Sequence, residues 1–241
     1  MNDWLIPDWP APAGVKSCVT TRSGGASLAP FDSLNLGDHV DDQPEAVAEN
    51  RRRLTERFSI APAWLQQVHG VAVAHADPAV VATADASWSA TPGVACAVMT
   101  ADCLPALFCN RAGTRVAAAH AGWRGLAAGV LEATLDHLDV PADQVLVWLG
   151  PAIGPQRFEV GAEVREAFVT QLAEAGQAFV PSINAGRFMA DIYQLARLRL
   201  AARGVTAVYG GGYCTVSDPR FFSYRRNPRT GRFASLVWLE R

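Results

Sequence analysis

The sequence predicts an α+β fold with mixed sheets. Two observations carry this expectation. Stretches of strand type and helix type intermix without the regular alternation of a doubly wound parallel sheet. No composition break, linker or repeat divides the 241 residues, which suffice for one large domain or two small ones.

The elements follow in order. Residues 1–14, rich in Pro and Trp, read as an irregular arm, Val15–Thr21 as a strand, and Arg22-Ser23-Gly24-Gly25 as a turn. Ser33–Gly37 is a short apolar segment ending in Gly. Pro44–Phe58 has helical spacing, with Pro in the first turn, Glu45 early, and Val47, Leu54 and Phe58 on one stripe. Trp64–Ala74 reads as a strand interrupted at His69-Gly70. Val94–Met99 reads as another, with Leu104–Phe108 as its continuation. Arg115–Ala119 is a buried strand ending at His120, and Leu126–Leu138 a helix after a turn at Gly122. Val145–Leu149 is a strand, and Glu163–Ala175 and Asp191–Arg203 are helices. The second stops at Gly204, a helix-ending residue. Val205–Tyr209 is a strand, and Tyr213–Trp238 mixes aromatics, Arg and turn residues.

Half the residues are apolar and the net charge is -2, which argues against a nucleic-acid partner held by phosphate contacts. The five cysteines are odd in number and form no CxxC pair, so a reduced, cytoplasmic setting is expected. The N-terminus lacks a basic region followed by an apolar one, so no signal peptide is expected. No apolar run approaches the roughly 20 residues of a membrane helix.

Three islands carry the chemistry: Gln67-Val68-His69-Gly70, Thr100-Ala101-Asp102-Cys103-Leu104-Pro105 and His120-Ala121-Gly122-Trp123-Arg124-Gly125. Two His and one Cys make a three-ligand set that leaves a fourth position for water or substrate, the pattern of a catalytic zinc site. A Cys beside a His is equally a nucleophile with its base. Arg22, in its Gly-rich turn, and Arg124 offer guanidinium forks that match phosphate or carboxylate. Asn35 between two leucines needs a hydrogen-bond partner, structural or ligand. Glu159 can exchange a proton or serve a helix N-terminus. Cys18, Cys96 and Cys109 read as core, and His39, His75 and His137 lack a supporting motif.

These islands, with Thr21-Arg22, Gly24-Gly25, Ser33-Leu34-Asn35-Leu36-Gly37, Gly150-Pro151, Phe158-Glu159-Val160, Cys214-Thr215, Phe222-Ser223-Tyr224-Arg225-Arg226 and Gly231-Arg232, resemble the YfiH-type laccase-domain family over nearly the whole chain. Phe158 departs from the pattern, in which many members carry Tyr. The resemblance implies a single domain spanning residues 1–241, with two packed sheets flanked by helices in an α/β/β/α stack. It also implies a zinc site at His69, Cys103 and His120, with copper as an alternative occupant. Members are described as purine nucleoside phosphorylases that also deaminate adenosine and cleave methylthioadenosine. Other descriptions are multicopper polyphenol oxidase and peptidoglycan-editing factor.

Five His in total cannot furnish both a blue-copper centre and a trinuclear cluster, which argues against a true multicopper mechanism. Of the activities the resemblance implies, the leading expectation is a zinc-site purine nucleoside phosphorylase with adenosine deaminase and methylthioadenosine phosphorylase activity, acting on nucleoside and phosphate. The catalytic candidates are Cys103, His120, His69, Arg22, Asn35 and Glu159, and the substrate-binding candidates Arg22, Asn35 and Arg124. The alternative is an amide hydrolase on a cell-wall precursor, with Cys103 as nucleophile and His120 as base.

Overall fold

A computed structural model describes residues 3–240. Met1 and Asn2, at the head of the expected arm, and Arg241 lie outside the described residues. In chain order the elements are β1 (Val15–Val19), α1 (Pro44–Phe58), β2 (Ala61–Ala63), β3 (Leu65–Gln66), β4 (Val73–His75), β5 (Ala82–Thr83), β6 (Ala86–Ser89), β7 (Val94–Thr100), β8 (Leu104–Asn110) and β9 (Val116–Ala121). There follow α2 (Trp123–Ala128), α3 (Val130–Leu138), β10 (Val145–Leu149), β11 (Glu159–Gly161), α4 (Ala162–Val169), β12 (Phe179–Pro181), β13 (Arg187–Ala190), α5 (Ile192–Ala202), β14 (Val208–Gly210) and β15 (Phe233–Leu239).

Two sheets dominate. One has four strands in the order β1-β15-β7-β2, the other six in the order β14-β10-β8-β9-β6-β4. Both mix parallel and antiparallel pairs. Alternation along each strand assigns the faces. In β7, Cys96 and Val98 pack into the layer that also holds Leu107, Cys109, Val116 and Trp148 of the six-stranded sheet, which is the interior between the sheets. The other face of β7, with Ala95, Ala97 and Met99, packs against Leu54 of α1. The outer face of the six-stranded sheet, with Ala106, Phe108, Ala117 and Ala119, packs on Leu126, Leu131, Val164 and Leu195 from α2–α5. The stack is therefore helix, sheet, sheet, helix, as the resemblance implied.

Helix α1 has the predicted ends, with Pro in its first turn and a left-handed C-cap at Ser59 (φ 52°). Other elements differ from expectation. Leu104–Phe108 does not continue the preceding strand: β7 and β8 lie in different sheets, and the chain crosses between them at Ala101-Asp102-Cys103. The stretch Trp64–Ala74 splits into β3 and β4, which also belong to different sheets. The helix expected at Leu126–Leu138 starts earlier, at Trp123, and breaks at Gly129 (φ 105°), where L side chains are strained. The helix expected over Glu163–Ala175 ends at Val169 and is followed by a 3-10 turn at Ala173–Ala178. The tail hides β15, a seven-residue strand buried at every position.

Gly129→Ala should fold but lose about 1–2 kcal/mol, because the nearest atom to an added Cβ is at an ordinary 3.5 Å and the cost is the left-handed backbone. Thermal unfolding should show a Tm lower by roughly 2–8 °C. An unchanged Tm would mean that the helix break does not depend on this residue.

Candidate active site

The three islands meet. The ligand atoms of His69, Cys103 and His120 all lie within 4.8 Å of one another. Cys103 Sγ is 3.8 Å from His69 Nε2, and the two imidazoles meet edge to face with centroids 4.7 Å apart. Each side chain is delivered by a different device. His120 sits near the end of β9, paired with Pro105 of β8, and is buried. Cys103, half-buried, closes the crossover between the sheets. His69 lies exposed on the loop between β3 and β4, in a left-handed conformation (φ 60°).

The glycines of the islands allow this approach. A Cβ on Gly122 would stand 2.8 Å from the His69 ring and 3.0 Å from Cys103 Sγ, and one on Gly125 would stand 2.8 Å from the Gly70 carbonyl. Gln67 ties the loop to β7: its side-chain N–H donates to the Met99 carbonyl and its oxygen accepts from the Met99 N–H, each at 2.8 Å. Asp102 (φ 93°) holds the crossover, accepting from Thr215 Oγ1 at 2.6 Å and from the Arg225 N–H at 2.7 Å.

Sequence reasoning missed Asp85, which is fully buried. Its carboxylate accepts from His120 Nδ1 and the His69 N–H at 2.8 Å each, from the Gly70 N–H at 2.6 Å and from the Val68 N–H at 3.2 Å. Burial pushes its pKa up, but these donors, His120 foremost, hold it below the usual carboxylate range. The available signal was an acid set among small residues just before a strand, since a buried acid must find partners.

The site opens into a cavity of about 550 Å³ that also reaches Trp123, Arg124, Phe158, Tyr224, Arg225 and Arg232. Arg124 lies 4.5 Å over the Trp123 ring and makes no ion pair among the described residues. Arg225 and Arg232 spend their side-chain hydrogen bonds on backbone carbonyls. Among the described residues none of the three guanidiniums makes an ion pair at bonding distance, and although Asp102 lines the same cavity and attracts Arg232, three cations against one carboxylate favour an anion there. Arg225, Arg232 and the exposed His39 were not named as site residues from the sequence, although the first two stand in its motifs.

Three candidates lie outside this cavity. Arg22 pairs with the Asp32 carboxylate at 2.9 Å and lines a separate depression with Gly24 and Arg220. Asn35 is fully buried, and its side chain is committed on every side: it donates to the Gly37 carbonyl and to Asp42, and accepts from the Gly37 and Arg232 N–H groups. It therefore places the Arg232 backbone. Glu159 opens β11, which runs directly into α4, and its carboxylate accepts from Ser182 and Asn184 instead of serving the helix N-terminus.

Electrostatics couple the Cys103–His120 pair. Burial pushes the Cys103 thiol up, but the two imidazoles, His120 above all, outweigh it and bring the pKa down to about 6. Burial pushes His120 down, but Cys103 and Asp85 outweigh it and raise the pKa to about 9. Near neutral pH the metal-free pair is thiolate and imidazolium. The donor set also fits a metal. Zinc–sulfur and zinc–nitrogen bonds of roughly 2.3 and 2.0–2.1 Å at a tetrahedral angle put S and N about 3.6 Å apart, against 3.8 Å for Cys103 and His69. Among the described residues, no other group of three His, Cys or acidic side chains is so placed.

Fold and site define an enzyme class with an open His–Cys–His centre able to hold a metal. The sequence profile described as multi-copper polyphenol oxidoreductase laccase matches residues 16–240, and the chain belongs to that family. A Pseudomonas aeruginosa protein named purine nucleoside phosphorylase is 76% identical over 241 residues, with 100% of both chains covered. The purine nucleoside phosphorylase YfiH of Escherichia coli is 55% identical, covering 99% of this chain and 100% of its own. A Neisseria meningitidis crystal structure superposes with a TM-score of 0.96 at 53% identity, covering 99% of this chain and 100% of the other.

In metal-stripped protein, alkylation by iodoacetamide should label Cys103 with a pH midpoint near 6. Cys18, Cys96 and Cys109, pushed up to about 12 by burial, should stay unlabelled at neutral pH. Peptide mapping by mass spectrometry reads this directly. A midpoint near 9 would mean that the imidazoles do not activate the thiol.

Proposed function

We propose that this chain is a purine nucleoside phosphorylase working at the His69–Cys103–His120 centre, with residues 1–241 acting as one unit in a reducing cytoplasm. The observation that carries this reading is the convergence of that centre with the Arg124, Arg225 and Arg232 guanidiniums at one cavity. Relatives matching over their full length and named for this activity support it.

In phosphorolysis a phosphate oxygen forms a bond to the sugar C1′ as the bond from C1′ to the purine nitrogen breaks. The bonding electrons leave with the base, and sugar-1-phosphate and free purine result. Arg124, Arg225 and Arg232 supply the forks that bind phosphate. Arg22 has its own carboxylate and faces another depression, so it is a weaker candidate than at the sequence level. Phe158, Tyr224 and Trp123 give planar faces for a purine. In the metal-free state His120 is a proton donor for the departing base. With metal bound at His69, Cys103 and His120, zinc would supply Lewis acidity and a water acidic enough to deaminate adenosine. The same cavity would take methylthioadenosine. Copper is the alternative occupant, since Cu(II) outcompetes zinc in most nitrogen and sulfur sites.

A second reading is favoured by one observation, the Cys103 thiol set beside the His120 ring, a placement that draws the thiol down and the imidazole up. Cys103 would attack an amide carbonyl of a cell-wall precursor, His120 would protonate the leaving amine, and water would then cleave the resulting thioester to release the acid and restore the thiol.

Adenosine with phosphate should give adenine and ribose-1-phosphate by chromatography, and inosine where deamination occurs. Cys103→Ala should lower turnover by at least 10³-fold (order of magnitude) while the fold is retained. Arg232→Ala should mainly raise KM for phosphate, because a positional anion contact is lost. Absence of nucleoside turnover with and without metal would overturn the phosphorylase reading. Turnover of a muramyl-amino acid precursor that survives chelation would establish the second.

A further inference from the structure

The Asp85 carboxylate receives four hydrogen bonds, as many as its two oxygens hold. Three come from the consecutive backbone N–H groups of Val68, His69 and Gly70. Successive N–H groups outside a helix converge on one anion where the chain turns through a left-handed residue. That residue is His69, at φ 60°. The bent loop is thus an anion cradle whose anion is a side chain of the same protein. The fourth bond comes from the His120 ring, and the Asp85 backbone carbonyl accepts the His120 N–H at 2.7 Å. Residues 15 to 35 positions away from Asp85 in sequence are clasped by one group.

We propose that Asp85 is the positioning residue of the centre: it binds the His69 loop and the His120 ring into one unit and keeps His120 protonated on Nδ1, so that Nε2 faces Cys103 and the cavity.

The chemistry of the donors makes the carboxylate irreplaceable. Backbone N–H groups only donate. Oδ1 accepts from His69, and Oδ2 accepts from Val68 and Gly70. An asparagine in either flip would turn its NH₂ against at least one N–H group, so the loop must move. A ring whose Nδ1 donates to a carboxylate keeps its Nε2 for a metal or a proton in transit. Asp85 touches neither the reacting atoms nor the cavity lining and acts only through the two histidines.

The inference rests on reading the three side chains as a metal centre, not on which substrate is turned over, and its test needs no nucleoside. Asp85→Asn should bind zinc about 10- to 100-fold more weakly in a chelator competition. The cobalt-substituted variant should show altered ligand-field and thiolate charge-transfer bands, while circular dichroism reports a folded chain. Wild-type affinity and an unchanged cobalt spectrum in folded Asp85→Asn would overturn the role. If the variant does not fold, nitrogen-15 NMR of the zinc-loaded wild-type chain decides. Ligation of His120 through Nε2 with a proton on Nδ1 is expected, and ligation through Nδ1 would overturn it. A wild-type chain that binds no zinc would remove the metal centre and this role together, whether or not nucleosides are cleaved.

Discussion

Between Thr100 and Leu104 the chain passes from the four-stranded sheet into the six-stranded one, and the rest of the molecule depends on that crossover. A three-residue connection between stacked sheets leaves no slack. It requires Asp102 in a left-handed conformation, and the carboxylate of the same residue secures the bend by accepting from Thr215 and Arg225. The consequence is geometric. Cys103 cannot withdraw into either sheet, so its thiol stands where the ends of β7, β8 and β9 meet. The segment bound by Asp102 is also the one that brings Tyr224 and Arg225 to the cavity. One constraint on the backbone thus places a reactive side chain and part of the cavity wall.

The centre was legible in the sequence because His and Cys announce their chemistry by type, and the glycines beside them announce a close approach. Gly122 and Gly125 do admit neighbours too near for a Cβ. What could not be read was partnership across distance. Asp85 reads as any acid before a short strand until the backbone of residues 68–70 is folded over it. Asn35, a polar group among leucines, does find the partners that its setting requires. Its partners are structural, however, and it acts on the site through the Arg232 backbone. Arg22 and Arg124 looked equivalent as guanidinium forks. Only the fold separates them, since Arg22 meets Asp32 and Arg124 meets an aromatic ring.

The fold followed the same division. Helix α1 carries Pro and Glu in its first turn and an apolar stripe that runs to Phe58, and these bounds are the ones it has. The strands that escaped are of two kinds. β15 runs through the middle of a sheet and is buried on both faces, so period-two alternation is absent. β2, β5, β6, β11, β12 and β13 are two to four residues long, below the length at which any periodicity exists. The crossover was misread for a related reason: β7 and β8 are both apolar, and nothing local marks a change of sheet.

The charge state of the centre links these structural facts to its chemistry. In the metal-free site each partner holds the other charged, the thiol drawn down and the imidazole drawn up, so thiolate and imidazolium coexist in a window around neutral pH. A metal needs the thiolate but a neutral imidazole. In that window loading the centre displaces a proton from His120 and leaves Cys103 unchanged, so affinity for metal rises with pH until His120 is already neutral. The same proton is the one a leaving group would take in a metal-free reaction. Metal binding and acid catalysis by His120 therefore compete for one nitrogen, Nε2, and the buried Asp85 carboxylate serves both, since it stabilises a cationic ring and orients a neutral one. Two chemistries on one scaffold need no second site under this arrangement. They need only that the occupant of a single lone pair change.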